Sequence, residues 1–233
     1  MPQQQNLALP IAIVIAGALI GGALFFVGRS GTPTPDTNKA ATAPAPKDIP
    51  AVTAADHIQG SMDAKIVIVE YTDLECPFCK QFDGTMKKIM DEYGKDGRVA
   101  WVIRNFPLQQ LHPNAPKLAL GAECAAALGG NTTYFKFLDS IILQAPINTF
   151  FDMTKLTATA EGVGLKGKDF DACVASGTYQ EKITKEFNDA VAAGGQGTPF
   201  SVAIAKNGKK YPIPGSQPIE QVKALIDSIL AGK

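Results

Sequence analysis

The chain has 233 residues with 22 basic and 22 acidic side chains, so its formal charge is zero, and 45% of it is hydrophobic. That mixture suits a folded globular protein, and zero net charge gives no electrostatic case for binding nucleic acid. The four cysteines fall far below the roughly 8–10% of a disulfide-built scaffold, yet they suffice for one or two special pairs.

Leu7 to Val27 carries no charge and no strongly polar side chain. At about 1.5 Å rise per residue, such a run is long enough to cross a hydrocarbon core of about 30 Å. A cleaved signal peptide usually has a shorter apolar core of about 7–15 residues behind a basic start. Residues 2–6 carry no side-chain charge. Residues 1–30 are therefore expected to be an uncleaved, single-pass membrane anchor. Arg29, Lys39 and Lys47 follow the run, which by charge alone would leave the bulk of the chain in the cytoplasm; only Arg29 lies close to the membrane. Gly31 to Pro50 holds five Pro, four Thr and four Ala. It reads as an extended, partly polyproline tether, with the fold beginning at residue 51.

Lys65 to Tyr71 is apolar and β-branched without alternation, as in a central strand covered on both faces. Phe78, Phe82, Met86, Ile89, Met90 and Tyr93 then recur at helical spacing, with Gly94 as a stop. A second strand is expected at Val99 to Phe106. Strand, helix, strand at this spacing makes a βαβ unit with a parallel pair. Residues 112–193 read as helical, with Pro113 at a first helical position and His112 beside it in no catalytic role. Phe200–Ala205, Asn207-Gly208 and Lys209–Ile213 form a hairpin signal, with Asn-Gly suited to a type I′ turn. Ser216 is placed to cap a last helix carrying Ile219, Val222, Leu225, Ile226 and Ile229. The expected fold is a four-stranded mixed sheet, covered by helices and interrupted by a helical insertion.

The chemistry is expected at Cys76-Pro77-Phe78-Cys79. This C-x-x-C follows a buried strand and opens an amphipathic helix. Unpaired N–H groups and the helix dipole at such a terminus stabilise a thiolate. Pro77 fits the first helical position, where its missing N–H is harmless. Cys76 is expected to be the exposed, attacking sulfur, and Cys79 to close or resolve a disulfide with it. The competing reading is half of a zinc site completed by Cys124, Cys173, His57 or His112. Structural zinc usually draws on two short-spaced pairs, whereas Cys124 and Cys173 stand far apart in sequence.

Glu75-Cys76-Pro77-Phe78-Cys79 after a strand, Gly197-Thr198-Pro199-Phe200 before a hairpin, and a helical block between the two halves resemble the DsbA-like branch of the thioredoxin superfamily. More narrowly, they resemble its membrane-anchored bacterial thiol–disulfide oxidoreductases, over about residues 52–233. The resemblance implies that Pro199 is cis and lies against Cys76 and Cys79, turning Thr198 outward to pair with an extended substrate. It implies that Pro77, Phe78, Thr198 and Pro199 meet substrate. It also implies that Glu70, six residues before Cys76, is a buried acid that handles protons near Cys79. Some members carry a second disulfide in the helical block, at positions similar to Cys124 and Cys173. Closing that loop would contribute roughly 3–4 kcal/mol, the alternative being two buried free thiols. Phe78 departs from the oxidising members known for His at this position, because Phe donates no hydrogen bond.

The resulting expectation is an enzyme, a thiol–disulfide oxidoreductase that introduces disulfides into reduced, unfolded exported proteins through Cys76 and Cys79. A membrane partner of the DsbB or vitamin-K-epoxide-reductase type would reoxidise it, by the same resemblance. No cofactor or metal is implied. Disulfide chemistry places the domain outside a bacterial cytoplasmic membrane and overrides the charge signal. The alternatives are a reductase or isomerase on the same fold, and a membrane-tethered carrier holding a soft metal ion on the two thiols.

Overall fold

The computed structural model describes residues 48–232. The expected anchor at Leu7–Val27 and nearly all of the tether lie outside these residues. Among the described residues no helix is long and apolar enough to cross a membrane.

The elements run β1 (His57–Gln59), β2 (Ile66–Thr72), α1 (Pro77–Ile89), β3 (Val99–Asn105), α2 (Ala115–Gln144), α3 (Leu156–Gly162), α4 (Gly167–Ser176), α5 (Gln180–Ala192), β4 (Phe200–Ala205), β5 (Lys210–Pro214) and α6 (Ile219–Leu230). The sheet has five strands in the order β1-β3-β2-β4-β5, one more than expected. The added β1 is three residues long and pairs antiparallel with β3. β2 and β3 are parallel, and β4 and β5 are antiparallel to their neighbours. Asn131 hooks the outer side of β1, with Nδ2 donating to Ile58 O at 2.6 Å and Oδ1 accepting from Ile58 N at 3.1 Å. At the opposite edge β5 carries Pro212 and Pro214.

Strand alternation divides the interior in two. Ile66, Ile68, Trp101, Ile103, Ala203 and Ile213 join α1, α6 and the insertion in the larger core. Val69, Tyr71, Val102 and Val202 join Ala190, Ala193 and Ile49 in the smaller one. Helix α1 forms because Pro77 starts it, Phe82, Met86 and Ile89 bury one face, and Lys87 and Lys88 in its last turn complement the dipole. Each buried side chain of that size contributes roughly 1.5–3 kcal/mol. A π-helical turn, Met90–Gly94, ends it. A Cβ on Gly94 would meet Met90 Cε, so the glycine leaves room for that side chain to lie where it does.

Several local expectations are corrected. The fold begins before residue 51: Ile49 is 6% exposed within a core. Arg104 also donates to Pro50 O and Ala51 O, at 3.1 and 3.2 Å. Asn207 does not take up a positive φ, whereas Gly208 does at 83°. Gly208 N donates to Ala205 O and Ala205 N to Lys209 O. The hairpin therefore turns through three residues with one left-handed glycine, and not through a type I′ pair. Ser216 does not cap the last helix, whose N-cap is Pro218, and its hydroxyl is buried without a partner. The proline in the first turn of α2 is Pro116 rather than Pro113, since Asn114 is the N-cap.

α2 departs from helical geometry at Gly130, at φ 79°. A buried polar cluster ties the insertion to the sheet. Glu123 of α2 lies 2.9 Å from His57 and 2.7 Å from Lys182, and accepts from Asn105 Nδ2 at 2.7 Å. Asn105 Nδ2 also donates to Glu186 of α5 at 2.8 Å.

Candidate active site

The loop from Asp73 to Glu75 carries the chain from the end of β2 into α1. Cys76 is the N-cap of that helix, extended at φ −64° and ψ 122°, and Pro77 stands at its start. Cys76 and Cys79 are unbridged. The Cys79 thiol, followed by Thr198 and the backbone N–H groups of Cys79 and Phe78, brings the Cys76 pKa down to about 6 against the opposing effect of burial. Burial pushes Cys79 the other way, well above the ordinary thiol range. The two sulfurs thus divide into a thiolate and a thiol. The expected open Cys76 is not found: its residue is 4% exposed, against 3% for Cys79. The cover includes the segment before β4, with Thr198 O 3.4 Å from Cys76 Sγ. The Thr198–Pro199 bond is cis, and Pro199, being proline, offers no N–H there. Phe78, between the cysteines, is 61% exposed.

Glu70 is 1% exposed and accepts from Trp101 Nε1 at 3.0 Å. Burial raises its pKa to about 8, with Asp83 and Cys76 adding repulsion. Glu70, Cys79, Asp83 and Lys80 all line one cavity of about 10 Å³, near the lower limit for a single water. Glu70 therefore keeps its proton to a higher pH than an ordinary carboxyl and shares that cavity with Cys79.

Asp73 and Glu75 belong to the site and were not foreseen. Asp73 N donates to Cys79 Sγ at 3.4 Å, and Asp73 O accepts from Cys76 N at 3.1 Å. The Asp73 carboxylate accepts from Glu75 N at 2.8 Å and Leu108 N at 2.7 Å, and lies 2.9 Å from His112 Nδ1. Glu75 accepts from the N–H and side chain of Asn114, both at 3.0 Å, and from Phe151 N at 3.3 Å. Lys80 is 5% exposed, donates to Thr149 O at 2.9 Å, and has its pKa lowered by burial. Two loops of the insertion are thereby pinned against the C-x-x-C. The available signal was two carboxylates within three residues of a cysteine, an arrangement that invites the question of what holds them.

Cys124 and Cys173 are bridged, with S–S 2.05 Å and Cα–Cα 5.9 Å. Their sulfurs are bound to each other and so cannot complete a zinc site with Cys76 and Cys79. His57 stacks on Tyr134 at 3.8 Å and pairs with Glu123. The described residues include no group of three or more His, Cys, Asp and Glu side chains placed to hold a metal ion.

Residues 52–228 match the family model described as Thioredoxin (Thioredoxin_4). Curated relatives include Na(+)/H(+) antiporter NhaA 1 of Mycolicibacterium vanbaalenii, 32% identical over 62% of this chain, and that of Mycolicibacterium gilvum, 30% identical over 67%. The matches cover 22% and 24% of those antiporters, so the chain spans about a quarter of the relatives' length. Among solved structures, Pseudomonas aeruginosa DsbA2 is 26% identical with a TM-score of 0.62, over 78% of this chain and 97% of that one. Bacillus subtilis BdbD shares the fold at 19% identity and a TM-score of 0.65, over 75% and 92%. The chain belongs to the Thioredoxin_4 family, and its fold, with paired cysteines at a helix start, is like that of the DsbA thiol–disulfide oxidoreductases.

Proposed function

We propose that the chain introduces disulfides into reduced, unfolded exported proteins. The observation that carries this reading is the opposite treatment of two sulfurs at one helix start: Cys76 pulled down to about 6 and Cys79 pushed up. In the oxidised enzyme, a substrate thiolate attacks Cys76, and Cys79 leaves and takes a proton from Glu70. A second substrate thiol then attacks the mixed disulfide and expels Cys76. A low-pKa leaving group favours giving the disulfide away. The Thr198 backbone beside cis-Pro199 would pair with the extended substrate. The exposed rings of Phe78 and Phe150 would meet its apolar side chains.

A membrane partner of the DsbB or vitamin-K-epoxide-reductase type would reoxidise the pair. The domain would sit on the outer side of a bacterial cytoplasmic membrane, anchored by Leu7–Val27. The Cys124–Cys173 bridge supports an oxidising compartment. The relatives named as antiporters support a membrane setting.

Phe78 favours a second reading, a reductase or isomerase, because its side chain gives the Cys76 thiolate no hydrogen bond. Equilibration of the full chain with glutathione buffers separates the two. A potential near the DsbA value of about −120 mV supports the oxidase, and one near the thioredoxin value of about −270 mV supports the reductase.

A further inference from the structure

One residue, Asp73, touches both cysteines and a histidine. Its N–H reaches Cys79 Sγ, its C=O holds Cys76 N, and its fully buried carboxylate lies on His112 Nδ1. His112 is fixed by its backbone as well: its N–H donates to Leu108 O, and its C=O accepts from Ala115 N. The ring is mostly covered, with 13% of the side chain exposed. Phe150 stands edge-on to it at 6.5 Å.

A carboxylate that accepts from Nδ1–H fixes the imidazole tautomer and leaves the Nε2 lone pair available. His112 Nε2 makes no hydrogen bond among the described residues. The other charged groups packed around the dyad are already occupied. The Glu75 carboxylate holds Asn114 and Phe151, and the Lys80 ammonium is tied to Thr149 O. Glu70 lies on the inner side, against Cys79 and Trp101. One acid thus shares a cavity with the buried sulfur, and one imidazole is held on the side chain of Asp73, whose backbone touches both cysteines.

We propose that His112, oriented by Asp73, is the base that takes the proton from an incoming substrate thiol. The inference rests on the exchange chemistry proposed above, in either direction of electron flow. The substrate thiol RSH gives its proton to Nε2, and the sulfur attacks Cys76 Sγ. The Cys76–Cys79 bond breaks, its electron pair leaves on Cys79, and Cys79 takes a proton from Glu70. The second substrate thiol gives up its proton and attacks the mixed disulfide, and Cys76 leaves as a thiolate. Two electrons pass from substrate to enzyme. Of the two substrate protons, one replaces that lost by Glu70 and one goes to solvent.

The test is the rate at which dithiothreitol, and separately a reduced unfolded polypeptide, attack the oxidised full chain. It runs from about pH 6 to about pH 10, spanning the ordinary thiol pKa of about 8.5. His112→Gln should slow the attack about tenfold or more at neutral pH. The curves should converge where the substrate thiol ionises unaided, because no base is then needed. A His112→Ala chain that regains its neutral-pH rate in imidazole supports the same conclusion should the glutamine chain fold poorly. Coincident curves, or curves offset equally at every pH, overturn the proposal. The reduction potential measured alongside judges the direction of flow by itself: a thioredoxin-like value removes the oxidase reading and leaves the dyad standing.

Discussion

The molecule carries two cysteine pairs, and their contrast explains which one reacts. Cys124 and Cys173 lie within helices of the insertion, where backbone N–H groups are already bonded, and they are joined to each other. Cys76 and Cys79 lie at the start of α1, where unpaired N–H groups stabilise one thiolate and a buried acid faces the second sulfur. A cysteine's place on its helix, more than its exposure, sets its chemistry here: Cys76 and Cys124 are both buried.

The largest expected effect breaks one pair and spares the other. Cys76→Ser should abolish thiol–disulfide exchange while the circular dichroism spectrum and unfolding midpoint stay near wild type. Next, replacing Cys124 and Cys173 together by Ala should cost about 3–4 kcal/mol of stability by the chain-entropy argument, read in denaturant unfolding. Exchange through Cys76 should continue below the melting point. A loss of exchange with stability unchanged would reverse the roles given to the two pairs.

A smaller effect is pH-dependent. The pKa of Glu70 is raised from 4.5 to about 8, so its contribution to stability is full below about 4.5 and is lost as pH rises through about 8. Glu70→Gln should flatten that decline and remove the matching bend from the exchange rate. An unchanged profile would take Glu70 out of the mechanism. The smallest effect is expected from Phe78→His, which adds a donor beside Cys76. The Cys76 pKa, which its surroundings bring down to about 6, should fall by about one unit or less, read from thiolate absorbance. A rise would mean that Phe78 already favours the thiolate by some other route.

The redox pair was legible because it coincides with a change of period, from a buried strand to an amphipathic helix. Glu70 was legible as a lone acid in an apolar strand. Asp73, Glu75 and His112 were not, because their partners come from other segments: Leu108, Asn114 and Phe151 lie 35, 39 and 76 residues from the carboxylates that hold them. Read singly, each looks like an ordinary loop charge. β1 was missed because three residues give no period. The hairpin was placed correctly and its turn was not, since Asn-Gly suits more than one turn and the pairing of Ala205 with Lys209 decides between them.

On the function proposed above, the protein would work among unfolded chains whose strands are in search of partners. A five-stranded sheet offers two open edges, and either one could capture a client and nucleate aggregation. Asn131 already occupies the N–H and C=O of Ile58 on β1. Pro212 and Pro214 remove two donors from β5. Both flanks are thus poor templates for adding a strand, and on the proposed function the backbone beside Cys76 would be left as the place where a client docks and is released.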